Sequence, residues 1–192
     1  MSTNIRWQSF KLTEADRAKI KHQAPMCLWM TGLSGAGKST LANALEEKLN
    51  QLGKHTYILD GDNLRHGLNQ DLGFSMKSRN ENVRRAAEVA RLMVDAGLIV
   101  IVALISPLKT ERDHARSLFT SNQFKEIYLS TRIQECEKRD VKGLYQKARA
   151  GELKDFTGID SPYEPPEAPE IELNTEILTV DQAVDKIIKV IL

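Results

Sequence analysis

The stretch Gly32-Leu-Ser-Gly-Ala-Gly-Lys38-Ser39 limits most strongly what this chain can fold into. It fits the spacing G-x-x-x-x-G-K-[ST] at every fixed position. Glycines there let the backbone curl until several N–H groups converge on one point. A helix starting near Lys38 aims the positive end of its dipole at the same point. The flanks agree with that reading. Met26 to Thr31 is a compact apolar run, which predicts a buried strand. Leu41 to Leu52 is apolar at 41, 42, 45, 49 and 52, a helical spacing, and Gly53 closes it. Strand, glycine turn and helix in that order make a nest for phosphate oxygens. Gly32, Leu33, Ser34, Gly35, Ala36 and Gly37 would form its wall, and Thr40 would follow in the helix. Lys38 supplies a mobile ammonium for β- and γ-phosphates, and the Ser39 hydroxyl suits Mg²⁺. The expected small molecules are therefore ATP and Mg²⁺.

Strand and helix patterns alternate through the rest of the chain. Leu12 to Ile20 predicts a short helix with Thr13 as N-cap, and Pro25 ends that stretch. Thr56 to Leu59 predicts a second strand, and Asp60 to Arg79 a polar loop. Val83 to Ala96 predicts a helix closed by Gly97. Leu98 to Ile105, the most apolar run, predicts a central strand. Thr110 to Phe119 predicts a helix, Ile127 to Leu129 the core of a fourth strand, and Ile133 to Ala150 a charged helical region broken at Gly143. Asp155 to Pro169 is a proline- and glycine-rich loop. Ile171 to Leu173 and Asp181 to Leu192 predict a last strand and a last helix. Such alternation predicts an α/β fold of three layers, a parallel sheet with helices on both faces. The 192 residues suffice for one domain, taken as 25–192 after an N-terminal extension at 1–24.

Composition narrows the partners. The net charge is +1, so no overall field recruits nucleic acid or an anionic membrane. No run approaches the roughly 18 apolar residues of a membrane span. Two cysteines, Cys27 and Cys136, are too few for a disulfide framework and suggest a reducing cytoplasm.

A phosphate loop alone does not separate kinases from GTPase switches or motors. No N-K-x-D guanine reader is present, and Asp140-Val-Lys-Gly143 matches D-x-x-G only inside a charged helical region. No apolar-D-[DE] segment of a motor appears either. A small-molecule kinase remains. Asp60-Gly61-Asp62 supports it, since the pair falls at the end of the second strand. Ligands in open α/β sheets bind over that edge. Two carboxylates there can serve Mg²⁺ or accept a hydroxyl proton. An ordinary Asp-Gly turn is the bland alternative. Arg65, His66, Arg79, Asn82, Arg84 and Arg85 follow as an anion-ready segment, with Phe74 among them as a ring able to stack on a base.

Asp60-Gly-Asp-Asn-Leu-Arg-His-Gly-Leu68, Asp71-Leu-Gly-Phe-Ser75 and Arg79-Asn-Glu-Asn-Val-Arg-Arg85 together resemble the adenylylsulfate kinase family. Ile105-Ser-Pro107, Lys142-Gly-Leu-Tyr145, Lys147-Ala-Arg149 and Phe156-Thr-Gly-Ile-Asp-Ser-Pro-Tyr-Glu164 continue the resemblance in order. It runs from about Asn4 to the C-terminus. It implies a P-loop NTPase-type fold with a five-stranded parallel sheet, a lid over about 133–165 and a homodimer. The implied reaction moves phosphate from ATP to the 3′-hydroxyl of adenosine 5′-phosphosulfate (APS), giving 3′-phosphoadenylyl sulfate (PAPS). An ATP sulfurylase would then be a pathway neighbour.

By the same resemblance, Asp60 and Asp62 handle Mg²⁺ and the 3′-hydroxyl. Arg65, Arg79 and Asn82 hold the phosphosulfate, and Phe74 and Phe156 sandwich its adenine. Ile105 offers backbone groups, Lys142 reaches from the lid, and Arg139 meets ATP. Ser106 is often assigned in this family as a phosphoserine. No His or Lys lies close in sequence to activate it, and direct transfer with Ser106 positioning substrate is the expected course. Departures from the pattern are small: Ala36 for a common serine, and a more basic Met76-Lys-Ser78. None of the first 26 residues is the cysteine of the plant regulatory disulfide. The remaining readings are a kinase for another metabolite and a nucleotide-binding regulator without turnover; the intact Lys38, Ser39 and acidic pair speak against the second.

Overall fold

The computed structural model describes residues 4–6 and 8–192; parts of the N-terminal extension thus lie outside the described residues. Five strands form one parallel sheet in the order β2-β3-β1-β4-β5, with β1 Met26–Thr31, β2 Thr56–Asp60, β3 Ile99–Ala103, β4 Phe124–Leu129 and β5 Ile171–Leu173. The order changes direction at β1, whose C-terminal end feeds the glycine turn.

Alternation along β1 and β3 sends side chains to two separate cores. Leu28, Met30, Ile99 and Ile101 meet Leu41, Leu45 and Leu49 of α2 (Lys38–Gln51) and Ala183, Val184 and Ile187 of α8 (Val180–Ile191). On the other face Cys27, Trp29, Val100 and Val102 meet Val83, Ala86, Ala87, Ala90 and Val94 of α4 (Met76–Asp95). The alanines let that helix lie close to the sheet. All six β1 residues are buried, as a strand covered on both faces must be.

The structure corrects the polar loop expected over Asp60 to Arg79. A short helix α3 (Gly61–Arg65) and the opening of α4 occupy part of it. Both start on side-chain caps: Asp60 accepts from the N–H groups of Asp62 and Asn63, and Ser75 accepts from Ser78 N–H. Helices that begin by capping and bury little show no apolar period. The strand β4 begins at Phe124, earlier than its apolar core suggested. The charged region splits at Gly143 into α6 (Ile133–Arg139) and α7 (Leu144–Arg149). α5 spans Lys109–Ser117.

The helix α1 (Glu14–Lys21) starts on Thr13, whose hydroxyl and N–H exchange hydrogen bonds with Asp16. It packs against Gly97, which has φ +86°. A Cβ there would stand 3.0 Å from Ala18 N. Gln23 completes the attachment by bonding the carbonyls of His55 and Gly97. Gly97→Ala is therefore expected to cost about 2 kcal/mol, from backbone strain and displacement of α1 together. Urea unfolding checks this; an unchanged midpoint would show that α1 does not depend on that contact. Among the described residues, no helix is long and apolar enough to cross a membrane.

Candidate active site

Three strand ends converge at one edge of the sheet. β1 delivers the glycine turn, β2 delivers Asp60, and β3 leads to Ile105 and Ser106. In the turn, Gly32 leaves no room for a side chain: a Cβ would lie 2.8 Å from the Leu129 carbonyl oxygen. Gly35, at φ +75°, passes almost as near the Cys136 carbonyl, where a Cβ would stand at 3.0 Å. The turn closes with Gly37 at the head of α2.

Lys38 is buried, and its Nζ donates to the carbonyls of Gly32 and Leu33, both at 2.7 Å. Burial pulls its ammonium down to about 8, against the attraction of Asp60 and Asp62. Ser39 Oγ donates to Asp60 Oδ2 at 2.6 Å, while Asp60 Oδ1 accepts from Asp62 N–H at 2.9 Å. One carboxylate thereby ties the heads of α2 and α3 together. Asp62 is left to project outward, where it pairs with Lys142 from the segment between α6 and α7.

These oxygens fit Mg²⁺. No cluster of three or more His, Cys, Asp or Glu side chains forms a metal cage among the described residues. Magnesium is commonly held by one or two carboxylates together with water and substrate phosphates, and Ser39 with Asp60 offers that kind of donor set.

The segment over α6 and α7 grips the glycine turn. Tyr145 Oη donates to the Ser34 carbonyl at 2.9 Å. Arg139 donates to Thr175 Oγ1 at 2.9 Å, to the Thr175 carbonyl at 3.0 Å and to the Gly35 carbonyl at 3.4 Å. Thr175 Oγ1 donates to the Ala36 carbonyl at 3.0 Å and lies 2.7 Å from Thr131 Oγ1. The sequence offered no signal for Thr131 or Thr175, and Tyr145 entered only as the end of a motif, with no role. Their roles depend on neighbours distant in the chain.

On the other side, Arg65 donates to the carbonyls of Leu72 and Gly73 and stands 4.6 Å over the Phe74 ring. Arg79 donates to the Phe74 carbonyl at 2.8 Å and to Thr157 Oγ1 at 2.7 Å. It thereby joins the two segments that carry the expected base clamp. The rings themselves differ. Phe74 is 60% exposed, whereas Phe156 is 5% exposed and lies edge-on to Tyr145 at 4.9 Å. Phe74 offers an open face, and Phe156 only a rim.

Ser106 is 2% exposed and takes φ +38°. Its Oγ accepts from Trp29 Nε1 at 3.1 Å, and no acid or base bonds it among the described residues. Its carbonyl accepts from Arg112 at 2.8 Å. Arg112 also binds Glu126 at 2.8 Å and the Glu164 carbonyl at 2.7 Å, a buried junction that sequence reasoning missed. The Ile105 carbonyl accepts from Thr31 Oγ1 at 2.7 Å. Asn82 is buried and accepts from Asn69.

A parallel sheet ordered 2-3-1-4-5, a nest of glycines with a buried lysine, and an acidic pair met by Lys142 define a kinase of the P-loop class. Comparison with known proteins narrows the class. The family model described as "Adenylylsulphate kinase" matches residues 24–174, and the chain belongs to that family. It is 55% identical over 186 residues to an adenylyl-sulfate kinase of Marinobacter nauticus, covering 97% of this chain and 94% of that one. It is 58% identical over 182 residues to the bifunctional enzyme NodQ of Rhizobium sp., covering 95% of this chain but 28% of that one. The chain thus spans less than a third of such bifunctional relatives and nearly all of the shorter ones. The solved structure of the Mycobacterium tuberculosis APS kinase CysC in complex with AMPPNP and APS superposes with TM-score 0.84 at 48% identity, covering 88% of this chain and 98% of that one.

Proposed function

We propose that this chain transfers the γ-phosphate of ATP to the 3′-hydroxyl of APS, giving PAPS and ADP. The observation that carries the reading is the run of contacts Ser39–Asp60–Asp62–Lys142 at the mouth of the glycine nest. It brings a hydroxyl, two carboxylates and a cation together at the end of β2, beside the glycine turn, which supports metal-assisted transfer there. The names of the relatives supply the acceptor.

In this reading the backbone N–H groups of the turn and the head of α2 hold the β- and γ-phosphates. Lys38 leaves the carbonyls of Gly32 and Leu33 and follows the charge that spreads over the transferred group. Ser39 and Asp60 would hold Mg²⁺, which would supply charge neutralisation for the phosphates. Asp62 accepts the proton of the 3′-hydroxyl, and Lys142 exchanges this carboxylate for the substrate. Arg65, Arg79 and Asn82 hold the phosphosulfate. Phe74 stacks on the adenine, with Phe156 at its edge, and Ile105 contributes backbone. Arg139 braces the nucleotide loop through Thr175.

Transfer is direct, with Ser106 positional. Its buried hydroxyl, bonded to an indole and to no base among the described residues, supports that course. A homodimer and an ATP sulfurylase as pathway neighbour complete the proposal. Cys27 and Cys136 are buried and free, which fits a reducing cytoplasm.

The test is ADP release with ATP, Mg²⁺ and APS, with the product identified by mass. PAPS should appear, with no comparable turnover on AMP. Nucleotide binding without product from APS would leave the fold and remove the acceptor. Stable phosphate trapped on Ser106 within one turnover time would replace direct transfer by a relay.

A further inference from the structure

Asn69 lies in the turn after α3 and is fully buried at 0% exposure. It meets the site through Asn82 but has been given no role so far. Its backbone N–H donates to the Leu64 carbonyl at 2.8 Å, and its carbonyl accepts from Leu72 N–H at 3.0 Å. Its side-chain Nδ2 donates to Asn82 Oδ1 at 3.0 Å. Its own Oδ1 has no hydrogen-bond partner among the described residues. A buried amide carbonyl with no partner carries a desolvation cost that an apolar residue of similar volume would avoid. Only the bond to Asn82 sets against it.

That bond has a direction. A primary amide holds an acceptor oxygen and a two-proton donor on opposite arms. Asn69 takes the oxygen of Asn82, so the Nδ2 of Asn82 turns the other way. Asn82 sits one turn after Arg79 on α4, and Leu64 adjoins Arg65 at the end of α3. Asn69 therefore bonds both helices that bear the anion-binding side chains.

We propose that Asn69 is a positioning residue for the acceptor: it pins the Asn82 amide so that its N–H donors, not its oxygen, face the phosphosulfate of APS. The proposal rests on the kinase reading above. An amide free to rotate would present oxygen to an anion part of the time, and the anion would repel it.

The experiment is a double-mutant cycle on KM and kcat for APS and ATP, using wild type, Asn69→Ala, Asn82→Ala and the pair. Asn69→Ala should raise the KM for APS about tenfold and leave that for ATP within about twofold. In the Asn82→Ala background the same change should add less than about twofold. Equal factors in both backgrounds, or a parallel rise for ATP, would assign Asn69 to the core alone and overturn the proposal. Should Asn69→Ala not fold, Asn69→Asp keeps the volume and inverts the polarity. A carboxylate only accepts, so it turns the Asn82 oxygen outward, and the KM for APS should rise; a wild-type KM overturns the proposal. A wild type inactive on APS would sink the kinase reading and this proposal with it, whereas an active wild type with a non-cooperative cycle sinks the positioning role alone.

Discussion

Lys38→Met is expected to lower kcat by about 10²–10³-fold, since it removes a preorganised cation from the point where charge develops. The same change should alter how stability depends on pH. In the folded chain Lys38 is buried and loses its proton near 8, against an ordinary value of 10.5. Between those values the unfolded chain binds more protons at this position than the folded one. Stability from this group therefore rises with pH across that window, and below it the buried charge costs at most about 3 kcal/mol. Wild-type melting temperature should climb relative to that of Lys38→Met between pH 8 and 10. A pH-independent difference would mean that the two carbonyl bonds fully compensate the burial.

Asp62→Asn is expected to lower kcat by about 10²–10⁴-fold with little change in the KM for ATP. Its fold should be unaffected, because the Asp62–Lys142 pair is mostly solvent-exposed, at 64% and 60% of the two side chains. Asp60→Asn makes the informative contrast. Asp60 caps α3 and receives the Ser39 hydroxyl, so its loss should weaken both metal affinity and the helix, the latter by about 1 kcal/mol. Single-turnover kinetics and urea unfolding on the two variants separate these roles. If Asp62→Asn kept its chemical step and Asp60→Asn lost it, the base would be Asp60.

Much of this was legible in the sequence because the residues concerned answer to local rules. Gly32, Gly35 and Gly37 answer to backbone geometry, and the apolar runs of β1 and β3 to burial on two faces. Lys38, Ser39 and Asp60 follow from the loop spacing and from the strand that ends beside it. The start of β4 was hidden because Lys125 and Glu126 break its apolar pattern. Glu126 is nonetheless buried, satisfied by Arg112 and Arg116. α3 was hidden because it buries none of its five residues. The contacts of Thr131, Tyr145 and Thr175 were illegible for another reason. Each bonds a residue at least 95 positions from itself in the chain: the first and last reach the Ala36 carbonyl, and the tyrosine reaches that of Ser34. The resemblance supplied the expected roles of Arg65, Arg79 and Asn82, but not the carbonyl and threonine contacts that the two arginines make.

The indole of Trp29 gives the end of β3 an optical signature. The ring is fully buried, stacks on Phe124 at 5.9 Å and donates to Ser106 Oγ. The chain has two tryptophans, so Trp7→Phe leaves this one as the sole source of indole emission. Any ligand that shifts the Ile105–Ser106 backbone changes the dipole facing that indole, and with it the colour of its fluorescence. Arrival of the acceptor can then be followed by light in real time, without a label and apart from turnover.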